Sequence, residues 1–300
     1  MPSPLHTPYD GSSKLFEIGL KPLDLAEWID ADDQLAADLG EKDRLIAGRD
    51  RVFRAEPGTE AAQAEVLALL ADHLPARFPE IYRRDGESIE IVPARRRVRL
   101  DGPEAPLLVA ARLVQEDLLL MRRGATGWRL AAAALCFPSS WRLGDKFGRP
   151  LDEIHAPVPG FGAGSRPAEL IARMFDTLRP AVPVIRWNWS IYGDDRRAHP
   201  DPVAAEARRF GDGVRAEQLF FRAERQTLRK LPVSGDILFT IRIYIDPIAA
   251  LERHPGAATI ATRLIAQIGA LTAEQLAYKG LEVERERLLA RLGEIVAGGT

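Results

Sequence analysis

A chain of 300 residues, 46% hydrophobic and 28% charged, is long enough to bury a full core and falls between one large domain and two ordinary ones. With 41 basic against 43 acidic side chains the net charge is −2 and the pI about 6.3, which excludes the broad cationic surface of a polyanion binder and makes nucleic acid an unexpected partner. The single cysteine, Cys136, excludes an internal disulfide, a CxxC pair and a four-cysteine cluster built by this chain alone.

No apolar stretch approaches the ~20 residues of a membrane span. The start, Met1-Pro2-Ser3-Pro4-Leu5-His6, has neither the basic nor the apolar region of a secretion signal, so the expected location is cytoplasmic and off the membrane. The segment to about Pro22 is turn-rich. Apolar residues at helical spacing from Leu25 to Ile46 predict a helix that Gly40 and Asp30-Ala31-Asp32-Asp33 can split. Thr59 is the expected N-cap of a second helix over Glu60–Leu74. Periodicity lapses between Pro93 and Pro106, where Arg95-Arg96-Arg97 reads as a solvated basic patch.

From Leu107 the period changes. Leu107–Met121 and Trp128–Phe137 are apolar runs joined by Arg122-Arg123-Gly124-Ala125-Thr126-Gly127, the pattern of a hairpin. An irregular region follows. It carries Asp152-Glu153-Ile154-His155-Ala156-Pro157-Val158-Pro159-Gly160, in which two prolines stiffen the backbone beside an imidazole. A stiffly held neutral imidazole suits the axial position of a haem iron; the same segment can also be a buried turn with a satisfied histidine. Gly160-Phe161-Gly162-Ala163-Gly164 reads as a flexible turn before a helix opened by Pro167 and running to Leu178.

Val184–Tyr192 alternates strictly, with Ile185, Trp187, Trp189 and Ile191 on one face and Arg186, Asn188, Ser190 and Tyr192 on the other. Leu219–Leu228 and Ile237–Ile245 are two further strands across a turn at 229–235, and helical patterns from about Ile248 to Val296 close the chain. Helices flank a run of hairpin-linked strands instead of alternating with them. The expected class is therefore α+β with a largely antiparallel sheet, one face of which is free to hold a flat cofactor.

Arg186, Asn188 and Ser190 place a cation, an amide and a hydroxyl in line, as the lining of a polar pocket or the wet side of an edge strand. Arg222, Glu224 and Gln226 share one face of the next strand, while Arg225 lies on the other among apolar neighbours. A buried arginine needs a partner: a carboxylate, a haem propionate or an iron-bound oxygen. Hydrolase chemistry finds no support, since Ser139, Ser140 and Ser190 lack a G-x-S-x-G setting, and no HExxH or facial triad points to zinc or non-haem iron. Cys136 reads as a small buried hydrophobe.

Six blocks taken together carry a resemblance: Leu113-Val114-Gln115-Glu116-Asp117-Leu118; Cys136-Phe137-Pro138-Ser139-Ser140-Trp141; Lys146 with Gly148; Ile154-His155-Ala156-Pro157-Val158-Pro159; Arg186-Trp187-Asn188-Trp189; and Phe221-Arg222-Ala223-Glu224-Arg225-Gln226-Thr227-Leu228. The chain resembles the α subunit of haem-dependent oxidative N-demethylase, over roughly residues 15 to 255 and in the same order throughout. The resemblance implies a PAS-like fold binding haem b, with a helical extension over about 1–105 and C-terminal helices over about 247–300. It implies oxidation of dimethylamine with O2 to methylamine and formaldehyde, using electrons from an NADPH-linked partner that carries FMN and a [2Fe–2S] cluster, and a tetrahydrofolate-binding part that handles formaldehyde. Residue by residue, it points to His155 as the proximal ligand of the haem iron and Arg225 as a donor beside bound oxygen. Arg222 or Arg186 would partner the propionates, with Asn188 beside them. A haem-containing PAS-like sensor without turnover is the alternative.

Overall fold

The computed structural model describes residues 3–202 and 207–298, so Met1 and Pro2, which open the stretch read above for a secretion signal, lie outside the described residues. In chain order the elements are β1 (Lys21–Pro22), α1 (Leu35–Ile46), β2 (Phe53–Ala55), α2 (Glu60–Arg77), β3 (Tyr82–Asp85), β4 (Ser88–Ile91), β5 (Arg96–Arg99), α3 (Pro106–Ala111), β6 (Asp117–Gly124), β7 (Gly127–Ala134), α4 (Leu143–Lys146), α5 (Leu151–His155) and α6 (Arg166–Thr177). Then follow β8 (Val184–Tyr192), β9 (Phe220–Lys230), β10 (Ile237–Pro247), α7 (Ile248–Glu252), α8 (Ala257–Gly269), α9 (Ala273–Lys279) and α10 (Arg285–Gly298).

Among the described residues, seven strands form one sheet in the order β1-β8-β9-β10-β6-β7-β2, every pairing antiparallel. The five long strands, counted from β6, run 2-1-5-4-3 across it, and α4 to α6 are inserted between the second and third. The architecture is α+β, as the order of patterns predicts. β8 covers the expected residues, and β9 pairs with β10 from Phe220↔Pro247 to Lys230↔Ile237.

Pleating gives this sheet two different faces. On the back, Leu118 and Leu120 of β6 pack with α1, α2 and α3 in one apolar core. Trp189, Ile191 and Phe221 pack with Tyr9, α8 and α10 in a second. Between the two cores lies a buried polar seam. Arg242 contacts Asp32 at 2.6 Å and Asp38 at 3.3 Å, and Gln115 donates to Asp38 at 2.7 Å. The front face carries Arg186, Asn188, Ser190 and Tyr192 of β8 opposite Gln226, Glu224, Arg222 and Phe220 of β9, and α4 to α6 with their loops lie on that side.

Several expectations are corrected. Leu107–Ala111 is not strand but the helix α3, opened by Pro106, and β6 begins only at Asp117. All five of those residues are buried, so the apolar stripe that separates a helix from a strand is missing there. The Leu25–Ile46 pattern breaks into a single 3-10 turn at Leu25–Glu27 and α1, with the acidic stretch as the break. Thr59 stands at the N-cap of α2 as expected, but its side chain does not cap the helix: the hydroxyl donates to Glu56 O at 2.6 Å and receives Gln63 Nε2 at 3.0 Å. Of the arginine triplet, Arg95 sits in a turn, while Arg96 and Arg97 belong to β5 of a separate sheet of β3, β4 and β5 and pair with Asp43 and Asp85. β4 does alternate, with Ile89 and Ile91 buried, but strands of four residues are too short for that period to stand out in the sequence.

Candidate functional site

α5 is only five residues long, and Pro150 at its N-cap and the 157–160 turn after it fix both ends. Its last residue, His155, holds its ring by a 2.8 Å contact from Nδ1 to the carbonyl of Leu151, one turn earlier. A carbonyl only accepts, so Nδ1 carries the proton and Nε2 keeps its lone pair, with no hydrogen-bond partner among the described residues. Burial pulls the ring from its ordinary value near 6.5 down to about 4, the Leu151 bond opposes this, and the charges of Lys146 and Arg186 push the same way. The ring is thus neutral across the physiological range. It lies within electrostatic reach of the front face of β8.

On that face a buried network surrounds Glu224. Its carboxylate accepts from Arg222 Nε at 3.2 Å, Asn188 Nδ2 at 3.2 Å and Gln226 Nε2 at 2.9 Å. Burial alone would raise its pKa, but Arg222, Asn188 and Lys279 outweigh that and hold it below the usual carboxylate range. Arg222 is itself fixed by the carbonyls of Arg197 at 2.5 Å and Phe137 at 2.6 Å. Its donors are occupied. Lys279 reaches from α9 to the edge of β8 that β1 leaves unpaired, donating to Asn188 Oδ1 at 3.3 Å and Trp189 O at 2.8 Å. Burial lowers both Lys279 and Lys146 to about 8, with Glu224 opposing the shift in each.

Arg186 makes one hydrogen bond, to Glu17 O at 3.1 Å, and its Nε is buried without a partner. Lys146 stacks its ammonium 4.3 Å from the centre of the Trp141 ring. Farther along β8 the Tyr192 hydroxyl meets Ser139 Oγ at 2.8 Å and Ser140 Oγ at 3.1 Å, and its ring stacks on His199 at 3.9 Å. Ser140 sits in the left-handed region at φ 61°, held by its N–H on His199 O, so this corner stores backbone strain.

The structure brings His155, Arg186, Asn188 and Arg222 to one side of the sheet and leaves Arg225 on the other. Arg225 donates to the carbonyls of Glu27 and Trp28 and so ties the N-terminal 3-10 turn to the back face. Its partners are backbone oxygens, an option that side-chain chemistry read from sequence passes over. Sequence reasoning missed Lys146, Glu224 and Lys279 as site residues. Glu224 was visible as the face-mate of Arg222 and Gln226. Lys279 gave no signal, because its role depends on α9 passing the edge of β8.

Two surface clefts lie away from His155, one of about 580 Å3 bordered by Arg96, Arg99 and Arg112. Among the described residues, no three His, Cys, Asp or Glu side chains converge as a metal site, and no helix is long and apolar enough to cross a membrane. A family model for the haem-dependent oxidative N-demethylase, alpha subunit-like proteins matches residues 19–289, and the chain belongs to that family.

Proposed function

We propose that this chain is the haem b-binding catalytic subunit that oxidatively N-demethylates a small secondary amine of the dimethylamine kind, with O2 as oxidant. In this reading electrons come from an NADPH-linked partner carrying FMN and [2Fe–2S], and a tetrahydrofolate-binding subunit can take up the formaldehyde. The fold is read as a single PAS-like unit with an N-terminal extension to about residue 105 and C-terminal helices from about 247. The 2-1-5-4-3 strand order supports it. One observation carries the proposal: in a chain of this family, His155 presents a neutral imidazole whose Nδ1 is anchored and whose Nε2 is free.

The residues fit a haem. His155 Nε2 would hold the iron, the Leu151 carbonyl sets the tautomer, and the orphaned Arg186 Nε is a buried donor waiting for an anion. Phe239 and Ile245 of β10 and Leu151 and Ile154 of α5 are half-buried apolar side chains against which a flat ring could lie. Haem, when bound, supplies the one-electron and oxygen chemistry that side chains cannot. The chain's own contribution is positioning and charge. Histidine ligation gives less electronic push than thiolate, which leaves more for fixed polar groups to do. Glu224, ionised and fixed from three sides, is suited to hold the N–H of an amine, and Arg222 keeps that carboxylate in place.

The test is spectroscopic first and chemical second. The purified protein reconstituted with haem should show a Soret band that dimethylamine perturbs and that His155→Ala abolishes or shifts. Aerobic turnover with a reductant releases formaldehyde. A wild-type spectrum in His155→Ala refutes the ligand assignment; gas binding with no amine response and no formaldehyde favours the sensor.

A further inference from the structure

We infer that Asp117 is a positioning residue for Glu224, acting on it through the backbone of Phe137 and the guanidinium of Arg222. The inference rests on the reading of Glu224 as the group that holds the amine, and adds what keeps that carboxylate in place. Asp117 opens β6 and is wholly buried on the front face, opposite Ile241, which in turn faces Gln226. β7 ends at Ala134, the partner of Leu118, so the chain that follows passes the start of β6. There Asp117 takes two of its amides: Oδ1 accepts the Cys136 N–H at 2.7 Å and Oδ2 the Phe137 N–H at 2.9 Å. Pro138 restricts Phe137 further, and the Phe137 carbonyl accepts from Arg222 at 2.6 Å. Arg222 then donates to Glu224 at 3.2 Å. All four residues of this chain of contacts are buried.

A carboxylate costs more to bury than an amide or hydroxyl that could accept from the same N–H groups. Lys42 of α1, the two amides and Arg222 of β9 all favour the ionised form, yet burial outweighs them and raises Asp117 to about 6. Lys42 itself is spent on the carbonyls of Val114 and Glu116, and Glu116 turns to the Asp30 N–H. The Cys136 thiol, pushed up to about 12 by burial, stays neutral beside them. Groups shifted this far gather at functional sites. What the charge does here is accept two N–H bonds at once. A protonated Asp117 carries hydrogen on one oxygen and cannot serve both amides equally, so the Phe137 carbonyl loses its fixed direction and Arg222 an anchor. The other shifted groups of this face titrate elsewhere: His155 at about 4, Glu224 below the usual carboxylate range, Lys146 and Lys279 at about 8. A change centred on pH 6 is therefore the mark of Asp117.

The experiment follows dimethylamine affinity by the Soret shift of haem-loaded protein on both sides of pH 6, together with urea unfolding of haem-free protein over the same range. Well above pH 6, wild-type protein should bind the amine about tenfold more tightly than Asp117→Asn, and that advantage should vanish as pH falls through 6. Stability should move the other way. The folded pKa is raised, so relative to Asp117→Asn the wild-type protein loses stability as pH rises through 6. A residue that serves the fold alone would not gain affinity while it loses stability. In a Glu224→Gln background, Asp117→Asn should change affinity by less than about twofold, because its effect runs through Glu224. Parallel pH profiles for wild type and Asp117→Asn, or an undiminished effect in the Glu224→Gln background, would overturn the positioning role and leave Glu224 as the partner of the amine. A wild-type affinity with no break near pH 6 overturns it without any variant. If dimethylamine leaves the wild-type spectrum unchanged, the reading of Glu224 fails and the role of Asp117 falls with it.

Discussion

Replacing Arg222 by Met removes the cation that neutralises the most enclosed carboxylate of the site. Arg222 is 1% exposed and Glu224 5%. Taking one partner from a buried pair costs about 3–5 kcal/mol, because the other charge is left without compensation. The carbonyls of Arg197 and Phe137 also lose their donor, at about 1–3 kcal/mol for each that stays dry. These contributions overlap, and Asn188, Gln226 and Lys279 remain round the carboxylate, so the expected loss is about 4 kcal/mol from a total of about 5–15. The loss also depends on pH. In the native protein Glu224 titrates below its unfolded value, so its contribution is complete above the unfolded pKa and is lost as pH falls through the folded one. Without Arg222 the burial penalty is less opposed and the folded pKa rises. The penalty of Arg222→Met therefore grows with pH and is smaller at pH 5 than at pH 8. Urea unfolding of haem-free protein, followed by tryptophan fluorescence at both pH values, measures it. Arg222→Met with Glu224→Gln should recover at least half of the loss. A loss under about 1 kcal/mol, or one that is equal at the two pH values, would refute the coupling.

Three further outcomes are expected. Lys42 is wholly buried and donates to the carbonyls of Val114 at 2.8 Å and Glu116 at 2.6 Å; Lys42→Met should cost about 2–4 kcal/mol in urea unfolding. His155, pulled down to about 4 by burial, makes a contribution that is complete above 6.5 and fades as pH falls toward 4. His155→Asn should therefore flatten the acid side of the haem-free protein's stability profile; an unaltered profile would mean a solvated ring. Ser165 accepts the Ala168 N–H at the start of α6, and Ser165→Ala should speed amide exchange in that first turn, by a cap worth about 1 kcal/mol.

The strands were legible where one side chain in two meets the core. β8 shows this best, since its alternation gave both its bounds and the polar face that became the site. His155 could be singled out because prolines leave a local mark. The tautomer could not, as it depends on a carbonyl brought into reach only when α5 forms. Arg225 shows the opposite limit. Its face was read correctly, but what lay against that face, the 3-10 turn at Leu25–Glu27, is nearly two hundred residues away in sequence. The small sheet of β3 to β5 stayed hidden because its strands are four residues long, so the alternation of Ile89 and Ile91 in β4 spans only two apolar positions.

The borders of the large sheet come from an unexpected part of the chain. β1 pairs with Val184 and Ile185 at the start of β8, and β2 with Ala132, Ala133 and Ala134 at the end of β7, so segments within the first 55 residues cover one end of each margin of a sheet whose long strands all come later. The leading segment leaves the ribosome first yet has nothing to pair with until β7 and β8 exist, which makes closure a late, long-range event in folding. A protein shortened at its start would leave those two strand ends with unpaired amides and carbonyls, and self-association through them is the failure to expect.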